Sequence, residues 1–365
     1  MPHTSRSRTT QIVIVLATMI AVTLAALGPA TTAQAQSTTA RREAGNPLVG
    51  GPWGIDTRHE IYKAYDAARG KNRELLGKMA LRPRVFWFHD QAPINDITRR
   101  VRAHIEDSQD GNPNALVHMA VFRLWPEGEA MLNKPLTLAD RSRYRRWIDN
   151  VAKGIGSARV VLVLEPDLAV ALQGWRPSVR ISLTRYAARV FSKLPRTTMY
   201  IDAGSADWLS IPRAVSMLRG AGIGYARGFS LGATHYAATG DEIEYGTRLV
   251  AALAKAGFPR RRFVVDTSDN GRPFTWLQYW AAHPLGDYDN AEECRTLSQR
   301  RCVTLGIPPT TDVDAPGTGL TLRQRRLARA NVDAYLWFSR PWMVYARPAY
   351  MDLDRALAVA RTTPF

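Results

Sequence analysis

Apolar residues recur along this chain at two spacings that alternate from one end to the other. Val160–Leu164, VVLVL, is an unbroken aliphatic run, which marks a strand covered on both faces. Val85-Phe86-Trp87-Phe88, Leu116–Leu124, Thr198–Asp202, Gly228–Leu231, Phe263–Thr267 and Ala334–Phe338 read as strands in the same way. Between them, apolar positions three and four apart predict helices over Ile55–Leu76, Ile94–Ile105, Ser142–Ile155, Val179–Leu194, Pro212–Leu218, Asp241–Ala256 and Leu322–Val332. Thr239 or Asp241 is available to cap the helix that starts there. Seven strands alternating with helices predict an α/β fold, a parallel sheet closed or nearly closed into a barrel, in one domain. Residues 270–320, rich in Gly, Pro, Asp and Trp and without a period, are expected to form long loops.

The pattern changes at the amino terminus. Arg6 and Arg8 precede an apolar run from Ile12 to Leu27, and small residues follow as far as Ala33-Gln34-Ala35. This is the layout of a secretory signal peptide with an A-x-A cleavage site, and the run is shorter than the roughly 20 residues of a membrane anchor. Residues 1–35 are therefore expected to be removed, 36–45 to form a flexible polar leader and 46–365 to form the folded domain, with no stable membrane insertion. An exported chain meets an oxidising compartment, so Cys294 and Cys302 are expected to pair with each other.

Formal charge is +17, and removing Arg6 and Arg8 leaves +15, a balance that attracts polyanions. The arginines are scattered over the helices, as at Arg99, Arg100 and Arg102 or Arg323, Arg325, Arg326 and Arg329. They lack the interleaved aromatics of a single-strand binder and the helix-turn-helix pattern, which argues against a nucleic-acid partner. No GxGxxG, P-loop, GxSxG, HxH or HExxH spacing stands where its chemistry needs it, so no cofactor and no metal are expected.

Carboxylates gather where the strands end. Glu165-Pro166-Asp167 follows the third strand, Trp125-Pro126-Glu127-Gly128-Glu129 the second, Asp202 to Trp208 the fourth and Asp266-Thr267-Ser268-Asp269 the sixth. Carboxylates and tryptophans at one rim suit a carbohydrate hydrolase, the acids moving protons while indole faces stack on sugar rings. An Asp after a strand also caps helices, and a buried Trp is commonly core, so the collective pattern carries more weight than any one residue.

The motifs VLEPD at 163–167, YIDAGSADWL at 200–209, ARGFSL at 226–231, DEIEYG at 241–246, VVDTSDNG at 264–271, PPTT at 308–311 and DAYLW at 333–337 resemble, in order, those of glycoside hydrolase family 6. That family comprises cellobiohydrolases and endoglucanases acting on β-1,4-glucans, and the resemblance covers roughly residues 46–340. It implies a distorted seven-stranded parallel β/α barrel and hydrolysis with inversion. It places the general acid at Asp167, a subsite-shaping carboxyl at Asp202 and a sugar-stacking indole at Trp208. A strand-end carboxyl beside another carboxylate also has the raised pKa that protonating a glycosidic oxygen requires.

The other half departs from the pattern. Glu129 takes the position of the Asp that tunes the acid, and Arg123 stands where the family has a tyrosine beside the distorted sugar. The family's KxPGExDG-like run, whose last carboxylate is the proposed base, becomes Ser339, Met343 and Tyr345 at the three charged places. A tyrosine with a pKa of about 10 is a poor base at neutral pH. Glu129, Asp312 or Asp314 is then left to activate water, or the reaction is slow, or the chain is a non-catalytic glycan-binding protein that keeps the barrel. Trp276, Trp337 and Trp342 are further candidates for substrate contact. The expected partner is a polysaccharide, a β-glucan or, from the basic charge, an anionic envelope glycan, met by a monomer outside the cell or at its envelope. The short Ala171–Pro177 stretch favours an open, endo-type cleft.

Overall fold

The computed structural model describes residues 45–89, 92–123, 133–346 and 349–365. The expected signal peptide, residues 1–35, and Glu129 lie outside the described residues. The described residues up to Gly50 form a turn in which the Leu48 N–H donates to Asn46 Oδ1. Gly51–Phe365 form the unit that carries the sheet.

Seven strands, β1 (Phe86–His89), β2 (Val117–Phe122), β3 (Val160–Leu164), β4 (Thr197–Asp202), β5 (Gly228–Leu231), β6 (Arg262–Asp266) and β7 (Val332–Leu336), pair in chain order, all parallel. The edges β1 and β7 share no ladder, but they meet. The Val85 N–H donates to the Trp337 carbonyl at 2.8 Å, and the Trp87 indole N–H to the Phe338 carbonyl at 2.8 Å. The sheet is thus curled almost into a barrel.

The central strand reads as it packs. All five residues of β3 are buried, and Val160, Leu162 and Leu164 share a core with Trp147, Ile148 and Val151 of the helix Leu138–Ile155 and with Phe191 of the helix Pro177–Phe191. β5 and β6 approach so closely that a Cβ on Gly228 would lie 1.6 Å from the Arg262 carbonyl oxygen, which only glycine permits. Inside the curl, Asp333 accepts from the Tyr200 hydroxyl at 2.7 Å and from Arg227 Nε at 2.9 Å and Nη2 at 3.1 Å. The Tyr200–Asp333 bond ties β7 to β4 across the barrel, while Arg227, its side chain 28% exposed, reaches the same carboxylate from just before β5.

Four segments differ from their expectations. The stretch read as one helix over Ile55–Leu76 is two, Glu60–Ala67 and Gly70–Ala80, because Ala68 and Arg69 are extended and Gly70 takes φ +54°. The helix Thr239–Lys255 starts earlier than expected and uses neither Thr239 nor Asp241 as a side-chain cap. The segment 270–320 holds a helix at Trp276–Ala282, capped reciprocally by Thr275 and Gln278, and is fastened by bridges at Asn270↔Thr304, Glu293↔Val303 and Thr310↔Tyr335. Cys294 and Cys302 pair there, as expected. Beyond Phe338 the chain adds a two-stranded ladder of β8 (Met343–Val344) and β9 (Tyr350–Met351), and a helix, Leu353–Thr362, packed on Gly70–Ala80.

Candidate active site

The carboxyl ends of the strands open into a cavity of about 920 Å³, the position at which barrel folds collect loop-borne chemistry. Its walls come from β1 (Trp87, His89), β2 (Phe122) and the segments that follow β3 to β7.

After β3 the chain makes a tight turn in which Glu165 (φ +51°) and Asp167 (φ +66°), on either side of Pro166, adopt left-handed backbone angles that non-glycine residues rarely hold. Glu165 supplies the compensation. Fully buried, its carboxylate accepts the Arg123 N–H at 2.9 Å and the Tyr144 hydroxyl at 2.5 Å, and its carbonyl accepts the Leu168 N–H at 3.0 Å. Glu165 is an anchor, and Asp167 is the residue the turn delivers to the cavity.

Opposite Asp167 stands Thr234, itself at φ +61°. Its hydroxyl oxygen lies 2.7 Å from Asp167 Oδ1 and 2.6 Å from the Ala233 carbonyl. A hydroxyl has one proton to give and two lone pairs. With Asp167 ionised, Thr234 donates to it; with Asp167 protonated, Asp167 donates to Thr234, whose proton turns to Ala233. The contact serves both protonation states of a proton donor.

Asp202 ends β4, buried, and accepts the Gly204 N–H at 3.1 Å and the Ser230 hydroxyl at 3.2 Å. Burial and then the Asp167 charge push its pKa well above the usual carboxylate range. Below it, Glu242 accepts the Ser205 hydroxyl at 2.6 Å and the Ala206 N–H at 3.0 Å, and burial pushes its carboxyl up to about 8. The folded state keeps this proton between the ordinary value near 4.5 and about 8, while the unfolded chain releases it. Stability therefore falls as pH rises through that window. Glu242→Gln removes the titration, so the melting temperature of the wild type relative to the variant is expected to drop between pH 5 and pH 8. An unchanged difference across that range contradicts the assignment.

Rings line one wall. Trp208 stacks on His235 (centroids 4.7 Å apart, planes 19°), His235 on Trp276 (6.1 Å, 18°), and Trp276 meets Tyr288 at 4.6 Å and Trp280 at 5.5 Å. Trp276 is 43% exposed, with its backbone N–H donated to Asp207 at 2.8 Å, so its indole is open to a ligand. Sequence reasoning passed over His235, a lone histidine among seven.

Another part of the lining joins β6 to β7. Asp266 accepts five hydrogen bonds, from the Ser268 N–H (2.9 Å) and hydroxyl (2.7 Å), the Phe338 N–H (3.1 Å), and the Ser339 N–H (3.0 Å) and hydroxyl (2.8 Å). Asp269 follows, 5% exposed and facing the cavity. Tyr345 also lines the cavity; it is 38% exposed as a residue, but burial of its hydroxyl end pushes the phenol above the usual value, with Arg340 opposing.

The structure thus brings Asp167, Trp208 and Trp276 to the cavity, with Asp202 directly behind Asp167. It does not bring Trp337 and Trp342, which correct the reading of strand seven. Trp337 is 1% exposed with its indole N–H on the Ile307 carbonyl at 2.9 Å; Trp342 is 0% exposed beside His59. Rings with no free face cannot stack on a sugar. Arg123 lies in a separate niche with Leu136, Asp140, Arg143 and Tyr144, its guanidinium 4.9 Å over the Trp147 ring. Asp312 and Asp314 do not line the cavity either, and Asp314 lies 3.7 Å from Arg329.

The family model of glycosyl hydrolases family 6 matches residues 54–341. The chain belongs to this family. Endoglucanase A of Cellulomonas fimi is 33% identical over 225 residues, which are 60% of this chain and 46% of that protein; endoglucanase 1 of Streptomyces halstedii is 27% identical over 221 residues, 59% of this chain and 67% of that one. This family 6 chain thus spans about half to two thirds of the curated relatives' length. Among solved structures, the endoglucanase Cel6 from Mycobacterium tuberculosis, in complex with a thio-linked cellobioside, superposes with a TM-score of 0.69 at 26% identity, covering 87% of this chain and 99% of that one. The distorted barrel expected of family 6 is the observed fold.

Proposed function

We propose that this family 6 chain hydrolyses β-1,4-glucosidic bonds of a polysaccharide with inversion at the anomeric carbon, Asp167 giving its proton to the leaving oxygen. The observation that carries the reading is the Asp167–Thr234 contact in a ring-lined cavity, since it keeps a proton donor positioned before and after transfer. Trp208 and Trp276 line the cavity, and Trp276, 43% exposed, offers an indole face to a sugar ring.

A neutral glucan fits better than an anionic envelope glycan. Five aspartates line the cavity (Asp167, Asp207, Asp269, Asp287, Asp289) against two arginines, and Arg355 is already tied to Glu293 at 3.1 Å and to two carbonyls. The excess basic charge of the chain lies elsewhere. Action outside the cell follows from the leader pattern and agrees with the Cys294–Cys302 pair. The competing reading, a glycan-binding protein without turnover, rests on Tyr345, which stays protonated at neutral pH.

Incubation of the purified chain with soluble β-1,4-glucan decides between the two. Release of reducing ends at a rate proportional to protein supports hydrolysis. Retention on the glucan with no release supports the binding protein.

A further inference from the structure

The cavity lacks a carboxylate where the family resemblance puts the base, because Tyr345 stands there. Three of the other acidic side chains on its wall are exposed: Asp207 accepts the Trp276 N–H, Asp287 accepts from the Asn290 amide at 2.7 Å, and Asp289 sits on the same rim. Asp269 is different. It is buried, it faces the cavity, and its charge is felt by the Tyr345 phenol. The wall it stands on is also linked to the acid. Ser339, which lines the cavity with Asp269, donates its hydroxyl to Asp266 at 2.8 Å, the Thr234 N–H donates to Ser339 Oγ at 3.3 Å, and the Thr234 hydroxyl holds Asp167. Asp167 comes from the end of β3 and Asp269 from beyond β6, so the two reach the cavity from different parts of the curled sheet.

We infer that Asp269 is the general base of this enzyme, replacing the carboxylate lost at Tyr345. This rests on the hydrolase reading above. In the step, a water oxygen forms its bond to the anomeric carbon while the bond to the glycosidic oxygen breaks. The water gives one proton to the Asp269 carboxylate, and the departing oxygen takes the Asp167 proton. Both carboxyls return to their starting states by exchange with solvent through the open cavity.

The surroundings of Asp269 suit the task. Burial, and then the Asp266 charge, raise its pKa well above the usual carboxylate value, with Ser339 and Arg355 opposing; Tyr236, Tyr288 and Tyr345 are the other titratable groups that feel it. A carboxylate raised in this way is a stronger base once ionised than an ordinary one. The acidic limb of the wild-type kcat/KM profile should therefore lie above the usual aspartate range.

The test uses the full chain and a β-fluoride of a cello-oligosaccharide, whose fluoride leaves without a proton. Asp269→Asn should lower kcat by about 10²–10⁴-fold on this substrate and on glucan alike, with a much smaller change in KM, and added azide, which needs no base, should restore turnover and give the α-glycosyl azide. Wild-type turnover of the fluoride by Asp269→Asn overturns the inference, as does a loss on glucan that the fluoride repairs. If Asp269→Asn does not fold, Asp269→Ser takes its place with the same azide readout, and wild-type turnover of the fluoride by that variant overturns the inference. A wild type inert on both substrates overturns the hydrolase reading itself, which distinguishes the two failures.

Discussion

Asp167→Asn is expected to lower hydrolysis of β-1,4-glucan by about 10²–10⁴-fold, the usual worth of a positioned general acid. The amide is isosteric and still reaches Thr234 Oγ1, 2.7 Å away in the wild type, so the turn and the cavity should survive. What disappears is the transferable proton. The loss should therefore depend on the leaving group: severe for a sugar alkoxide, slight for a dinitrophenolate that departs unprotonated. KM should change little, because Asp167 is assigned to the breaking bond and not to subsite binding. Comparing kcat on glucan and on a dinitrophenyl cello-oligosaccharide checks this. Equal losses on both substrates would move Asp167 out of the acid role.

The largest effect on folding is expected from Asp333→Ala. Asp333 is 2% exposed, and its removal leaves the Arg227 guanidinium and the Tyr200 hydroxyl facing an apolar methyl group inside the barrel. The buried Tyr200 hydroxyl loses its acceptor, which costs about 1–3 kcal/mol, while Arg227, with its side chain 28% exposed, stays in reach of water. A fall of at least several degrees in melting temperature should follow, and Asp333→Asn, which can still accept from Tyr200, should lose less. A variant melting with the wild type would show that the cross-barrel link is dispensable.

The barrel was legible because β3 to β7 carry local signals that tertiary packing did not override. Val160–Leu164 is aliphatic and buried throughout, and Gly228–Leu231 begins with the glycine that its neighbour requires. Asp167 and Asp202 were legible for a different reason, as charges placed immediately after such strands. Trp337 and Trp342 misled because position near a strand end does not say which way a ring points: the chain beyond β7 folds back, so Trp342 packs under the last helix in the same core as Ala356 and Leu357. Asp269 was hard to single out because DTSDNG also reads as a turn built around Asp266, and only the fold exposes one carboxyl to the cavity while Ser268, Phe338 and Ser339 enclose the other. Within 270–320 the order comes from long-range bridges and a disulfide, which leave no period in the sequence.

The central claim is hydrolysis with inversion at this cavity, and proton NMR of the first products from a soluble cello-oligosaccharide tests it most directly. The account predicts that the α-anomeric proton of the new reducing end appears first and that the β signal grows only as mutarotation proceeds. A β signal appearing first, or no new reducing end at all, contradicts it.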